Sequence, residues 1–313
     1  MPLVSKIILI AAILFFVFVL LPELLIGPVL YLKLLVRTSQ KKWKRGCSET
    51  KDTEQLEMYR RGMLWGDEHQ SFKHEVAICN DGLKLYGEYF DFGFNKAVII
   101  VSGRSEGCTY SYYYAKPYKG LGYNVLVIDN RCNGLSEGII LTCGLREYTD
   151  ILEWGRMLHE KYSVQSVLLH GLCMGAATCL YVLTNGNTPD YFQGIIVEGM
   201  YTTFYDSFRN HIIEKKHKPF PAIQEVFFLI KHVAKVDAKN NGPVFCIGQL
   251  KKPILFLHSK QDLSSLPHEI EKVYELCKAP KKLVWFEKGV HSHIRINNEA
   301  AYDQAVIDFA GTL

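Results

Sequence analysis

The sequence predicts an α/β protein with a mostly parallel central sheet and helices on both of its faces. Three observations predict it: a succession of short β-like runs, helix-like segments between the later runs, and a hairpin signal between the first two. The chain has 313 residues, room for one large or two average domains. With 48% hydrophobic and 22% charged residues it can build a core, which excludes a mainly disordered chain.

From Ile7 to Leu21 the chain is uninterrupted apolar. Pro22 and Glu23 follow, and then a second apolar stretch from Leu24 to Val36. A membrane-spanning helix needs about 20 mostly apolar residues. The combined segment supplies them, so residues 1–36 are expected to form an N-terminal transmembrane helix, a single-pass membrane anchor. A cleaved signal peptide is the alternative. Against it, only Lys6 precedes the run and no small-x-small cleavage site follows it. Arg37, Lys41, Lys42, Lys44 and Arg45 come directly after, and positive flanks stay cytoplasmic, so the body is expected to face the cytoplasm. The same cluster either solvates a stop-transfer flank or touches anionic headgroups.

Residues 37–70 read as a basic juxtamembrane linker with one amphipathic helix near 54–63. In the body, residues 71–313, β-like runs fall at 75–79, 83–90, 97–102, 124–129, 166–170, 194–198, 253–258 and 282–287. Asn80-Asp81-Gly82 between the first two is a hairpin turn signal. Helix-like segments fall at 111–121, 144–161, 174–183, 267–277 and 298–310. Residues 200–250 break the alternation: they hold no strand but two helix-like pieces, 203–215 and 221–235, where a cap inserted over the sheet would lie.

Charge is unevenly placed. The chain carries +4 overall, whereas residues 1–51 carry eight Lys/Arg against Glu23 and Glu49, leaving the rest at −2. A nucleic-acid binder would carry a basic body, so no nucleic-acid partner is expected. The nine cysteines are odd in number and form no C-x-x-C pair, which argues for reduced thiols rather than a zinc ribbon. The histidines lack metal-ligand spacing, and Gly171–Gly175 lacks the Lys-Ser/Thr ending of a phosphate loop. No metal and no cofactor are expected.

The most informative stretch is Ser166–Ala176, SVLLHGLCMGA: a buried β-run, then Gly-x-Cys-x-Gly, then a helix. This is the strand–turn–helix context of a nucleophile elbow. The turn is sharp, so the residues two before and two after the nucleophile must be small, as Gly171 and Gly175 are. Cys173 would sit at a helix amino-terminus, where the dipole favours a thiolate, with the Met174 backbone N–H aimed at a developing oxyanion. The bland alternative makes Cys173 one more buried cysteine, like Cys179.

Several segments resemble the α/β-hydrolase superfamily, in particular its serine aminopeptidase / monoacylglycerol-lipase-like branch: VSGRSEG at 101–107, GYNVLVIDNRCNGLSEG at 122–138, HGLCMGA at 170–176, PILFLHSKQD at 253–262 and KGVHSH at 288–293. The resemblance implies an α/β-hydrolase fold with a small helical cap and a triad in the order nucleophile, acid, base. It implies Cys173 as nucleophile, Asp262 as the acid that orients the base, and His291 as the base. Asp262 could instead cap a turn, His293 competes with His291, and Glu198 at another strand end is the alternative acid. Oxyanion donors would be the backbone N–H groups of Met174 and Arg104. The loop from Asp129 to Glu137 is structural in this family.

Two departures stand out. Cys173 replaces the family's usual Ser, and Ser102-Gly103 replaces its His-Gly, removing a supporting side chain. A thiol is a better leaving group than an alkoxide, so activated acyl groups such as thioesters are expected over amides. The expected function is a membrane-anchored ester or thioester hydrolase acting through an acyl-enzyme on a small acyl or lipid-like substrate. Peptidase or acyltransferase activity on the same fold, and a non-catalytic hydrolase-fold binding protein, are the alternatives.

Overall fold

Eight strands form a single sheet in the order β1-β2-β4-β3-β5-β6-β7-β8. They are β1 (Lys73–Asn80), β2 (Leu83–Phe90), β3 (Lys96–Val101), β4 (Tyr123–Ile128), β5 (Ser166–Leu172), β6 (Phe192–Glu198), β7 (Ile254–Ser259) and β8 (Lys281–Phe286). The computed structural model describes residues 2–17, 21–46 and 50–313. The first two strands form an antiparallel hairpin, β2 pairs antiparallel with β4, and the remaining pairs are parallel. Central strands such as β4 (YNVLVI) and β7 (ILFLHS) are buried throughout, as strands covered on both faces must be, whereas edge strand β1 is mostly exposed.

Helices cover both faces. Nine are long enough to name among the described residues: α1 (Leu3–Phe15), α2 (Leu21–Leu35), α3 (Thr53–Glu68), α4 (Glu147–Tyr162), α5 (Met174–Thr184), α6 (Phe204–Glu214), α7 (Ala222–Leu229), α8 (Pro267–Leu276) and α9 (Glu299–Ala310). One core joins the sheet to α4, α5 and α8 through Trp154, Leu158, Leu180 and Ile270. A second joins its other face to α3 and α9 through Met58, Trp65, Tyr302 and Val306. A third lies over the carboxyl ends of the strands, where α6 and α7 form the cap.

The eight expected strands are all present, within two residues at each end. The expected helix over 111–121 is not. A short helical turn at Cys108–Ser111 leads into 3-10 turns at Tyr112–Tyr114 and Lys119–Leu121. Pro117 lies between these last two; it lacks an N–H and clashes with the preceding turn, so a continuous helix cannot pass. The three tyrosines at 112–114 are buried packing residues, as is Trp154.

Of the N-terminal segment expected to span a membrane, the described parts are α1, of 13 residues, and α2, of 15; residues 18–20 lie outside the described residues. No described helix is long and apolar enough to cross a membrane. The α2 segment contains Glu23, Gly27 and Pro28, and one face of α2 packs along α7. Glu225 of α7 accepts a hydrogen bond from the Gly27 N–H at 2.8 Å. Tyr31 and Leu35 are 4% and 1% exposed in the cap core, whereas Leu24 and Val29 on the other face are 55% and 58% exposed. One face of α2 is therefore packed on protein, while the side chains of α1 and the other face of α2 stay exposed.

The linker beyond α2 is tied down as well. Leu141 N–H donates to Leu35 C=O, and Arg37 N–H donates to Ile139 C=O at 2.7 Å. The Arg37 guanidinium donates to the Ser136 and Gly134 carbonyls, and Arg45 pairs with Glu88 and Asp129 at 2.7 Å each. Asp129 also accepts from the N–H groups of Cys108 and Leu135, so the 129–137 loop is held by its own carboxylate.

If α2 is part of the protein core, Leu35→Ala should cost about 2–5 kcal/mol in chemical denaturation. Leu32→Ala, on the exposed face, should change stability by no more than about 0.5 kcal/mol. Equal costs at the two positions would contradict the packing described.

Candidate active site

The site is assembled at the carboxyl ends of β5, β7 and β8. Cys173 stands between β5 and α5 with φ 52° and ψ −113°. This is a left-handed-side conformation that a non-glycine residue adopts only when its surroundings impose it. The neighbours impose it here. A methyl group at Gly175 would lie 2.1 Å from the Val101 carbonyl oxygen, and one at Gly171 would lie 2.5 Å from the Gly175 oxygen and Ala176 Cα. Only glycine lets the turn close against β3. Met174 opens α5, so its N–H is among those a helix leaves unpaired at its start.

Asp262 lies in the turn after β7, and His291 in the loop after β8. His291 Nδ1 is 2.7 Å from Asp262 Oδ2. The other carboxylate oxygen, Oδ1, accepts from the N–H groups of Ser264 and Ser265 at 2.9 and 2.8 Å. Burial alone would raise the Asp262 carboxyl; the facing imidazole, His258 and the Ser265 N–H prevail and hold it below its ordinary value. For His291, burial works against the charged form. The Asp262 carboxylate and the neighbouring Cys173 sulfur prevail and hold it well above the ordinary imidazole value. The structure thus brings Cys173, His291 and Asp262 together.

The competitors are placed elsewhere. His293 Nδ1 contacts the His291 carbonyl at 2.9 Å, and its Nε2 lies 3.0 Å from Asp52. The Glu198 carboxyl accepts from the Tyr302 hydroxyl at 2.6 Å rather than meeting the His291 ring. Tyr302 in turn contacts His170 Nε2 at 3.0 Å, and Tyr118 contacts His170 Nδ1 at 2.7 Å. Burial pushes this imidazole down to about 3, so it is a neutral link in a buried network.

A cavity of about 270 Å³ opens onto Cys173 and His291. Tyr201, Phe204 and Phe208 line it from the cap side, and Leu34 of α2 joins them. Arg104 lies in its wall. Arg104 Nη1 donates to the Leu34 carbonyl at 3.0 Å, so the 102–107 loop and the end of α2 are directly joined. Two further contributors were not singled out from the sequence. Leu34 sat within an apparent anchor. Glu106 reaches back so that its Oε2 accepts from the Gly103 N–H at 3.0 Å, beside the nucleophile. Burial pushes the Glu106 carboxyl up to about 7. Only the loop's three-dimensional course reveals it. Among the described residues no group of three His, Cys, Asp or Glu could hold a metal ion.

With this geometry in view, comparisons place the fold. The esterase Pf2001 of Pyrococcus furiosus superposes with a TM-score of 0.65 at 18% identity, covering 86% of this chain and 97% of that one. The acylaminoacyl peptidase of Pyrococcus horikoshii gives 0.58 at 20% identity, covering 76% of this chain and 40% of that one. The fold is the α/β-hydrolase fold. In sequence, the chain is 27% identical over 214 residues to the uncharacterized protein YqkD of Bacillus subtilis, spanning 68% of this chain and 70% of that protein. It is 25% identical over 195 residues to the uncharacterized membrane protein YNL320W of Saccharomyces cerevisiae, spanning 61% of this chain and 62% of that protein. No protein-family model matches.

The carboxyl of Glu198, 1% exposed as a residue, is pushed up to about 7 by burial. Between the ordinary value of 4.5 and about 7, the folded protein holds a proton there that the unfolded chain has released. Stability should therefore fall as pH rises through that window and level off above it. Glu198→Gln should remove on the order of 3 kcal/mol of that fall, read from urea denaturation at pH 5 and pH 8. A fall of undiminished size in the variant would refute the assignment.

Proposed function

We propose that the protein is an acyl hydrolase of the ester or thioester class, with Cys173 as nucleophile, His291 as base and Asp262 as the orienting acid. The observation that carries this reading is the sharp turn at Cys173 facing an imidazole that is itself held at 2.7 Å by a buried carboxylate. The esterases and peptidases that share the fold support a hydrolase, and the site's own residues narrow the chemistry.

The sulfur attacks the acyl carbon while any proton it carries passes to His291. The tetrahedral oxyanion that forms is met by the backbone N–H groups of Met174 and Arg104. Collapse breaks the bond to the leaving alcohol or thiol, which takes a proton from His291 and departs. Water then gives a proton to His291 and attacks the acyl-cysteine, and the acid leaves as the Cys173 sulfur is released. Because thiolate is itself a good leaving group, the first adduct reverts unless the substrate's own leaving group is at least as good. This favours thioesters and activated esters over amides. The cavity is at the small end of the range for ligand pockets, which suits a short acyl group.

The reading includes membrane association. Every side chain of α1 lies outside the protein core, and apart from Ser5 and Lys6 the helix is apolar. Such a surface is costly in water and suits a lipid phase. The yeast relative is named a membrane protein, and the basic stretch after α2 suits a body on the cytoplasmic side.

The test is intact-protein mass spectrometry of the full chain, in detergent, mixed with a short-chain p-nitrophenyl ester and the matched thioester. An acyl adduct on Cys173 is expected, with thioester turnover at least equal to ester turnover. Cys173→Ala and His291→Ala should each lower turnover by at least about a thousandfold. Turnover that survives in Cys173→Ala would overturn the assignment. Activity that emerges only in Cys173→Ser would assign an inert natural protein on an intact triad frame.

A further inference from the structure

Arg104 is shared by two cavities. On one side is the catalytic cavity. On the other is a second of about 560 Å³, whose lining includes Lys41, Trp43, Lys44, Ser105 and Glu106. Three cations thus converge on one chamber that adjoins the nucleophile across the 102–107 loop.

These cations lack the partners that neighbouring ones have. Arg45 is held by Glu88 and Asp129, and Lys42 Nζ is spent on the carbonyls of Leu32 and Val36. Among the described residues, Arg104, Lys41 and Lys44 enter no ion pair. The contacts of the Arg104 guanidinium with the Leu34 carbonyl and the Ser105 hydroxyl both run through Nη1. Nor are the two lysines on a free tail. Between Arg37 and Arg45 the chain is pinned at Trp43, whose carbonyl accepts from the Gly134 N–H at 2.7 Å. Glu106 is the carboxyl in the lining, and it already accepts from Gly103.

A half-buried guanidinium that makes no ion pair among the described residues is costly, and an Arg with flanking lysines is a set that recognises phosphate. We propose that the second cavity is a leaving-group subsite for a phosphate-bearing alcohol or thiol, held by Arg104, Lys41 and Lys44 while the acyl chain occupies the catalytic cavity. This rests on the hydrolase reading above. The phosphate stays intact throughout: the acyl bond to the leaving oxygen or sulfur breaks, the bond to Cys173 forms, and the leaving atom takes its proton from His291. The same headgroup chemistry occurs in a lysophospholipid and in a soluble phosphorylated thiol.

Two matched pairs test it with the full chain. One is butyryl-pantetheine against butyryl-4′-phosphopantetheine in solution. The other is a 1-acylglycerol against the 1-acylglycerol 3-phosphate in neutral vesicles. The phosphorylated member of at least one pair should have a kcat/KM at least tenfold higher, carried mainly by KM. The ratio should collapse towards one in Lys41→Met/Lys44→Met and shrink in high salt. Preference in the vesicle pair assigns a lipid headgroup, and preference in the soluble pair assigns a soluble carrier; either supports the subsite. Ratios near one in both pairs, or a ratio unmoved by the double variant, overturn it. Calorimetry with phosphopantetheine and pantetheine on Cys173→Ala separates this from the catalytic reading. A tenfold tighter phosphorylated ligand supports the subsite even where turnover fails, and equal affinities together with no preference in the vesicle pair overturn it even where turnover succeeds.

Discussion

At the end of β5 the chain reverses into α5 within one residue, and that residue is Cys173. Its positive φ is maintained because the turn is closely packed: β3 leaves no room for a side chain at Gly175, and the start of α5 leaves none at Gly171. The parallel pairing of β3 with β5 sets that closeness, and the flanking strands β6, β7 and β8 continue the same parallel order. Because the strands run in register, the loops after β7 and β8 emerge on the same edge as the turn. The carboxylate and imidazole therefore arrive beside the sulfur from positions 262 and 291, far apart in sequence. The strain at one residue is thus sustained by the whole parallel half of the sheet.

How much of this could be read from residues alone depends on how local the cause is. The strands were legible because buried parallel strands such as 123–128 are unbroken apolar runs, a signal that needs no partner to be seen. The turn at Cys173 was legible because its steric demand is written within five residues. The segment 111–121 misled because its apolar periodicity is helical while Pro117 forbids the helix, and the local breaker outweighed the pattern. In the N-terminal segment, apolar residues look the same whether they meet lipid or protein, and only the packed partner, Glu225 and the cap core, shows that one face of α2 meets protein. Among the site residues, Asp262 and His291 were picked out by the family resemblance, at positions after two strand ends. Glu106 and Leu34 were not, because each reaches the site by a backbone path that no spacing encodes.

The cap, α2 and the catalytic loop form one connected body. Aromatic residues of α6 and α7 pack on Tyr31 and Leu35, and Leu34 meets Arg104 through its carbonyl. The helix end is a partial negative charge, and the Arg104 guanidinium is a fitting cap for it. Apolar surface holds α2 to the cap, while a charge-assisted contact holds it to the loop. Conditions that weaken one of these need not weaken the other.

The short stretch from Leu35 to Arg45 also bears on how the chain can vary in length. Loops ordinarily accept inserted residues because nothing holds them between their ends. Here the backbone is fastened at Leu35 and Arg37 to residues 139–141 and at Trp43 to Gly134, and the Arg45 side chain is held by Asp129. An added residue would have to unseat one of these fastenings or push a lysine out of line. A segment whose composition resembles an expendable spacer is thereby held to a set number of residues, as a strand is within a sheet.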